Sequence, residues 1–360
     1  MSKEKKLENL RQRIDQLDNQ IQDLISERVK LAKQIAEVKS ASGSGCYYRP
    51  EREARILRNV IDRNKGPLAD DDMARLFREI MSVSLAAQAP IIVSFLGPEG
   101  TYTHSAALKH FGHSVKNLPQ STIDEVFHAV EKQVAHFGVV PVENSAEGVV
   151  THTLDMFLDS NLKICGEVQL RVHHQLLSNA GSISEVKKVL AHTQSLAQCR
   201  RWLNKNLSTV GTVAVHSNAE AAQRVASDSS LAAIASSAAA EIYGLNVLVA
   251  NIEDDPDNTT RFLIIGNAEA KPCGDDKTSL LISSENKPGA LYRLLEPMAK
   301  HRVSMTRIES RPSRRGLWEY VFFIDIEGHA QDEHVKEVLS ELEQEATLIK
   351  SLGSYPKAVL

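Results

Sequence analysis

Arg28 and Lys39 stand eleven residues apart in a stretch free of Gly and Pro. At about 100° per residue, a helix returns to nearly the same face after three turns, so the two cations share one stripe. That stripe is otherwise apolar. Leu7, Leu10, Ile14, Leu17, Ile21, Leu24, Leu31, Ile35 and Val38 recur at heptad-like spacing, and Arg28 falls where an apolar residue is due. Ser84 and Gln88 continue a second apolar face set by Phe77, Ile80 and Met81. Polar groups at those places could line a pocket for a small anion between helices. Snorkelling cations and tolerated polar residues would give the same pattern without chemistry. Farther along, "GPEGTYTHS", "ENSAEG", "HTQS" and "HSNAE" each follow a short apolar run and open a helical stretch. Ligands of α/β sheets sit at such strand ends, where free helix amides favour anions. Plain helix capping uses the same residues, so the four turns argue for a cleft only together.

Three kinds of scaffold must position these groups. Residues 1–90 read as all-helical. A first helix of about 33 residues, roughly 50 Å long, ends at "SASGSG" (40–45). A second runs from about Pro50 to Arg63 and a third from about Asp71 to Gln88, before Pro90. The first is too long for a 90-residue region to cover, so a second copy of the chain is expected against it. Residues 91–270 alternate strands (91–96, 137–142, 188–191, 212–215, 231–235, 259–266) with helices, which predicts an α/β fold with a mainly parallel sheet. Residues 271–360 follow the linker "NAEAKPCGDD". They read as strand 278–284, helix 288–301, strands 303–310 and 317–326, helix 331–345 and strand 347–353, the ferredoxin-like βαββαβ order.

Composition narrows the partners. The chain has 360 residues, 42% of them apolar, and a net charge of −4. That balance calls for neither nucleic acid nor an anionic membrane, so an anionic substrate must find local cations. The four cysteines, Cys46, Cys165, Cys199 and Cys273, form no CxxC pair, which fits a reducing cytosol. The N-terminus lacks the apolar core of a signal peptide, and no run is apolar enough for a membrane helix, so a cytoplasmic protein is expected. There is no GxGxxG, GxxxxGK[ST] or HExxH, and His173 and His174 would face opposite ways on a strand. No cofactor and no metal are expected.

On "LRQRIDQLDNQI", "ERVKLAKQIAEVK", "YRPEREARIL" and the Ser84–Gln88 end, residues 1–90 resemble the helical chorismate mutase domain of fused chorismate mutase–prephenate dehydratases. The resemblance implies a substrate site of Arg28, Lys39, Arg52, Glu53, Ser84 and Gln88, with Arg11 reaching into the partner's site. Arg49 stands where some members have an aspartate and is left off the site. On "FLGPEGTYTHSAA", "VVPVENSAEGVV", "LRVHHQLL", "AHTQSLAQC" and "NTTRFLIIG", residues 91–270 resemble prephenate dehydratase. That implies two α/β lobes around a cleft, as in periplasmic solute-binding proteins. The expected cleft residues are Thr101, Asn144, Ser145, Glu147, His192, Gln194, Ser195, Gln198, Thr260, Arg261 and Phe262, with Thr260 catalytic. On "ENKPGALYRLL" and "TRIESRP", residues 271–360 resemble the ACT regulatory domain, implying a phenylalanine site at Gly289, Ala290, Leu291, Glu309, Ser310 and Arg311.

The chemistry agrees with these assignments. Chorismate rearranges without a nucleophile, so compacting a dicarboxylate and stabilising the breaking ether oxygen are what help. Arginine forks suit the carboxylates, Lys39 and Gln88 the ether oxygen, and Glu53 would accept from the substrate hydroxyl. Dehydration of prephenate expels carbon dioxide and a hydroxyl. Thr260 is too weak an acid to act alone, so it would hydrogen-bond the leaving group and relay a proton. Arg261, beside it on a strand, points to the other face and equally suits a structural ion pair. The overall expectation is a bifunctional enzyme under phenylalanine feedback, working as a homodimer or higher oligomer. An arogenate dehydratase, a chain with a dead mutase domain and a non-catalytic amino-acid-sensing protein are the alternatives.

Overall fold

A computed structural model describes residues 3–41, 48–285, 287–312 and 320–359, without the side chains of 40 and 41. Residues 42–45 of the "SASGSG" break, Cys46, Asn286 and the start of the expected strand at 317 lie outside the described residues. Three helices come first: α1 (Lys3–Ala41), α2 (Pro50–Arg63) and α3 (Asp70–Ala86). Helix α1 has 39 residues, about 58 Å, several more than the seam alone predicts. Only its last third packs on its own domain, through Ala32 and Ala36, while residues 3–24 are exposed throughout. Pro50 opens α2 as a first-turn proline should, and Leu57 of α2 packs on Ala74 and Met81 of α3.

Two α/β lobes follow. The first begins with β1 (Ile92–Leu96), α4 (Tyr102–Phe111), β2 (Lys116–Gln120), α5 (Ile123–Glu131), β3 (Phe137–Asn144), β4 (Gly148–Val149), α6 (Thr151–Asp159) and β5 (Lys163–Arg171). The chain then crosses to the second lobe: β6 (Gln175–Ser178), β7 (Lys188–His192), α7 (Thr193–Gln198), α8 (Arg200–Asn206), β8 (Gly211–Val215), α9 (Asn218–Val225), β9 (Leu231–Ala235), α10 (Ser237–Tyr243) and β10 (Asn246–Val249). It returns to the first lobe as β11 (Thr259–Gly266). The sheet orders are β2-β1-β3-β11-β5 and β10-β6-β9-β7-β8. Both sheets are mixed, which differs from the mainly parallel sheet expected. β1, β2 and β3 pair in parallel, as do β7, β8 and β9, because helices cross between them. β6 and β11 enter straight from the opposite lobe and pair antiparallel to their neighbours. His173 and His174 lie in the first crossing, beyond the end of β5, and not on a strand.

The C-terminal unit is β12 (Asp276–Ser283), α11 (Ala290–Lys300), β13 (Met305–Pro312), β14 (Tyr320–Glu327), α12 (Glu333–Glu345) and β15 (Leu348–Pro356), with sheet order β13-β14-β12-β15. Strand alternation gives this sheet two different faces. Leu280, Ile282, Ile324 and Ile326 pack under α11 and α12. Leu281, Val321, Phe323, Leu352 and Tyr355 instead join Phe127, Phe157, Ile164, Leu263 and Ile265 of the first lobe in one buried cluster. The C-terminal sheet therefore covers a face of the first-lobe sheet, and ending the chain near residue 270 would test folding before it tested regulation. No helix among the described residues is long and apolar enough to cross a membrane.

Where β15 meets β5 the backbones nearly touch. A Cβ on Gly353, whose φ is +137°, would lie 2.4 Å from the Ile164 carbonyl oxygen. Gly353→Ala should therefore cost about 1–3 kcal/mol of stability, the usual range for overpacking. Denaturant unfolding of the full chain checks this, and an unchanged midpoint would mean that the two strands do not press together.

Candidate active sites and regulatory surface

The first site lies against the last turns of α1. Arg28, Lys39, Arg49, Arg52, Glu53, Ser84 and Gln88 line a cavity of about 290 Å³, with Leu31, Ile35 and Met81 as its apolar wall. Arg28 donates to the Ile80 carbonyl at 3.2 Å and to the Ser84 hydroxyl, so α3 fixes the guanidinium. Arg11 is absent from this cavity. It sits 17 residues before Arg28, about 25 Å up the exposed half of α1, beyond reach of its own pocket. Arg49, left off the site on sequence grounds, lines it.

Arg78 was not foreseen. Its Nη1 donates to Glu53 at 3.1 Å, and its Nε is buried without a hydrogen-bond partner. The signal was present. Arg78 falls between Ala74 and Met81 on the buried face of α3, the same fault in an apolar pattern that marks Arg28. Burial pushes the Glu53 carboxyl from its ordinary 4.5 up to about 7, against the downward pull of Arg78 and Arg28. Folding thus favours the protonated acid. The stability this contributes is complete below pH 4.5 and is lost as pH rises through 7.

The second site lies at the ends of β3 and β11. Asn144 donates to the Thr260 hydroxyl at 2.8 Å and to Asn258 Oδ1 at 2.9 Å, and its own carbonyl oxygen receives the amides of Ala146 and Glu147. Ser145 is tied to Thr259 through both backbone and hydroxyl. Asn258, buried and inside the "NTTRF" motif, is a second residue missed on sequence grounds. Among the described hydrogen bonds, the Thr260 hydroxyl accepts and does not donate, so its proton stays available.

The second lobe faces this cluster. Glu147 accepts from Gln194 and, at 2.9 Å, from Gln198. Gln198 in turn accepts from His174 Nε2 at 2.7 Å. An amide oxygen only accepts, so Nε2 carries the proton; the Tyr102 hydroxyl, 2.8 Å from His174 Nδ1, shares its one proton between that nitrogen and the His173 carbonyl, also 2.8 Å away. Burial holds His174 below its usual range, which keeps it neutral. The relay Tyr102–His174–Gln198–Glu147 spans both lobes. His192 caps α7 by accepting from the Gln194 amide, and Ser195 accepts from Asn218.

Three expected cleft residues have other work. Thr101 caps α4, accepting from the His104 amide and donating to the Leu96 carbonyl. Phe262 is 1% exposed, packed in a core with Phe95 and Phe137. Arg261 points away from Thr260, as strand alternation requires, and is ion-paired at 2.7 Å to Glu167 and 2.6 Å to Asp325. In the C-terminal unit Gly289 precedes α11 with φ +77°, while Arg311 is turned to Asp155 of α6 at 2.9 Å. The Arg311 guanidinium thus faces the first lobe and not the start of α11, and no described hydrogen bond or ion pair joins the Gly289 and Glu309 segments.

A helical pocket of cations, a two-lobed polar cleft and a ferredoxin-like unit define a multidomain enzyme for small anionic substrates. Residues 10–89 match the family model for chorismate mutase type II, 93–270 that for prephenate dehydratase and 278–344 that for the ACT domain. Over 365 residues the chain is 54% identical to the bifunctional chorismate mutase/prephenate dehydratase of Stutzerimonas stutzeri, covering 100% of both chains. It is 47% identical to that of Aquifex aeolicus, over 98% of this chain and 99% of the relative. Among solved structures, the prephenate dehydratase of Arthrobacter aurescens in complex with L-Phe is similar at a TM-score of 0.69 and 34% identity, over 74% of this chain and 90% of that one. The chain belongs to the bifunctional chorismate mutase/prephenate dehydratase family and carries an ACT domain. The non-catalytic reading gains no support from these likenesses.

The Glu53–Arg78 pair gives a signed test. Mutase kcat/KM should change around pH 7 as Glu53 titrates. Arg78→Met removes one of the two cations opposing protonation, so the inflection should move to higher pH, and Glu53→Gln should remove it. A pH–rate profile that ignores both changes would take Glu53 out of the site.

Proposed function

We propose a residue-level reading of both activities and of their control. The chain turns chorismate into prephenate, and prephenate into phenylpyruvate with loss of water and carbon dioxide. Gathering Arg28, Lys39, Arg52, Ser84 and Gln88 around one cavity is the observation that carries the mutase assignment. The arginines hold the two carboxylates, and Lys39 and Gln88 donate to the ether oxygen as its bond breaks. Glu53 receives the substrate hydroxyl.

In the dehydratase cleft, Thr260 donates to the departing hydroxyl while Asn144 holds its oxygen in place. Glu147, Gln194 and Gln198 close the lobes over the substrate, and water exclusion keeps the ring carboxylate poorly solvated. Phenylalanine is the effector of the ACT domain, with the amides at the start of α11 receiving its carboxylate. The reading also places the enzyme in the cytoplasm as a homodimer. The exposed Leu7, Leu10, Ile14, Leu17, Ile21 and Leu24 form a stripe that a second α1 would bury, carrying Arg11 into the neighbour's pocket.

Two experiments test this. Lys39→Ala should lose roughly 10²–10³ of mutase turnover and still dehydrate added prephenate, as expected for one lost transition-state donor. Thr260→Ala should do the reverse while remaining folded; equal loss of both activities would indicate misfolding. Arg11→Ala and Lys39→Ala chains, each inactive as mutases, should recover roughly a quarter of wild-type activity after complete subunit exchange. Half of the dimers are then hybrids, and one of their two sites is native. No recovery after verified exchange would mean that each site is built within one chain.

A further inference from the structure

The C-terminal sheet holds the two catalytic strands from behind. β3 and β11 are neighbours, with Glu143 opposite Arg261 and Asn144 opposite Thr260 in the register. Asn144 and Thr260 bond to each other on the cleft side. Each is followed or preceded by a charged residue that turns to the other face, and each of those charges is taken by the ACT sheet. Arg261 Nη1 donates to Asp325 Oδ2 of β14 at 2.6 Å, and Nη2 donates to the Tyr355 hydroxyl of β15 at 3.0 Å. Glu143 pairs with Arg307 of β13 at 3.4 Å.

The receiving groups are themselves fixed. Asp325 accepts from Ser279 at 2.5 Å, and Glu167, the remaining partner of Arg261, accepts from Lys277 of β12 at 2.9 Å. Arg307 lies two residues before Glu309 on β13, so both stand on the face turned to the first lobe. A shift of β13 or β14 therefore reaches Asn144 and Thr260 through one ion pair each. A largely buried guanidinium does not readily drop a partner, because an unpaired charge held away from water is disfavoured.

We propose that Arg307 and Asp325 are positioning residues for the dehydratase step, acting through Glu143 and Arg261 on Asn144 and Thr260, and that this double grip transmits effector state from the ACT domain to the cleft. The proposal rests on the reading of Thr260 as the catalytic residue. An effector acts only through its differential affinity for two states. Here the two states are two placements of β13 and β14 against the catalytic pair. Positioning errors of this kind act on turnover more than on substrate binding.

The test uses the full chain, with prephenate as substrate and phenylalanine as effector. Arg307→Met and Asp325→Asn should each lower dehydratase kcat by roughly tenfold or more, with KM within about twofold. Mutase turnover should be unchanged. Phenylalanine should still bind by calorimetry, yet change the dehydratase rate far less than in the wild type. Arg307→Lys, which keeps a cation within reach of Glu143, should restore much of both. A folded Arg307→Met enzyme with normal kcat and normal inhibition overturns the proposal. So does a loss of activity that tracks thermal unfolding and is not relieved in Arg307→Lys. Should Asp325→Asn fail to fold, Ser279→Ala removes the hydroxyl that holds both Asp325 and Tyr355, the two ACT-domain partners of Arg261, and must still weaken inhibition. Thr260→Ala run in parallel separates the two readings: if it keeps dehydratase activity, the catalytic assignment fails, whereas an inactive Thr260→Ala beside a normal Arg307→Met sinks the positioning role alone.

Discussion

Arg261 is largely buried with its charge intact, held by Glu167 from its own lobe and by Asp325 and Tyr355 from the C-terminal domain. Leaving such a cation unpaired inside the interface would cost several kcal/mol, so the domains must meet with these partners in place. Three surrounding groups complete the arrangement: Lys277 balances Glu167, Ser279 caps Asp325, and the apolar cluster around Phe323 and Tyr355 excludes water. Strand period does the rest. A residue beside Thr260 on β11 must face backwards, so a strand that offers a hydroxyl to the cleft also offers a cation to the ACT sheet.

The mutase and the dehydratase meet the same problem, an anionic substrate on a mildly acidic protein, in different ways. The mutase pocket concentrates side-chain cations, which suits a rearrangement needing only compaction and charge stabilisation. The described dehydratase cleft is lined by amides and hydroxyls, with Glu147 as a carboxyl that burial holds above its usual range. A polar, weakly charged cleft fits a reaction in which a carboxylate must become poorly solvated before it leaves as carbon dioxide. The domains share a chain and neighbour one another, yet each site is built from its own elements.

Much of this was legible in the sequence because it is local. The heptad seam of α1, the Pro50 start of α2, the strand ends that open into capped helices and the βαββαβ order all depend on residues a few positions apart. The interrupted apolar stripe already set Arg28 and Lys39 on one face, and the "NTTRF" segment already carried Thr260. Arg78 could have been found by the same rule, as a cation at a buried position of α3.

What the tertiary structure decided is which distant partner each polar group meets. Mixed sheets followed from the chain crossing twice between lobes, and no window of residues records a crossing. Thr101 and Phe262 sit in motifs of the cleft but serve a cap and a core, since a motif fixes position and not the direction a side chain faces. Arg261 and Arg311 entered the expected sites through the motifs that carry them, Arg261 with a structural ion pair as the equal alternative, and both do bind carboxylates, those of Asp325, Glu167 and Asp155. A sequence specifies that a guanidinium will seek an anion. Only packing determines whether that anion is a substrate or another domain.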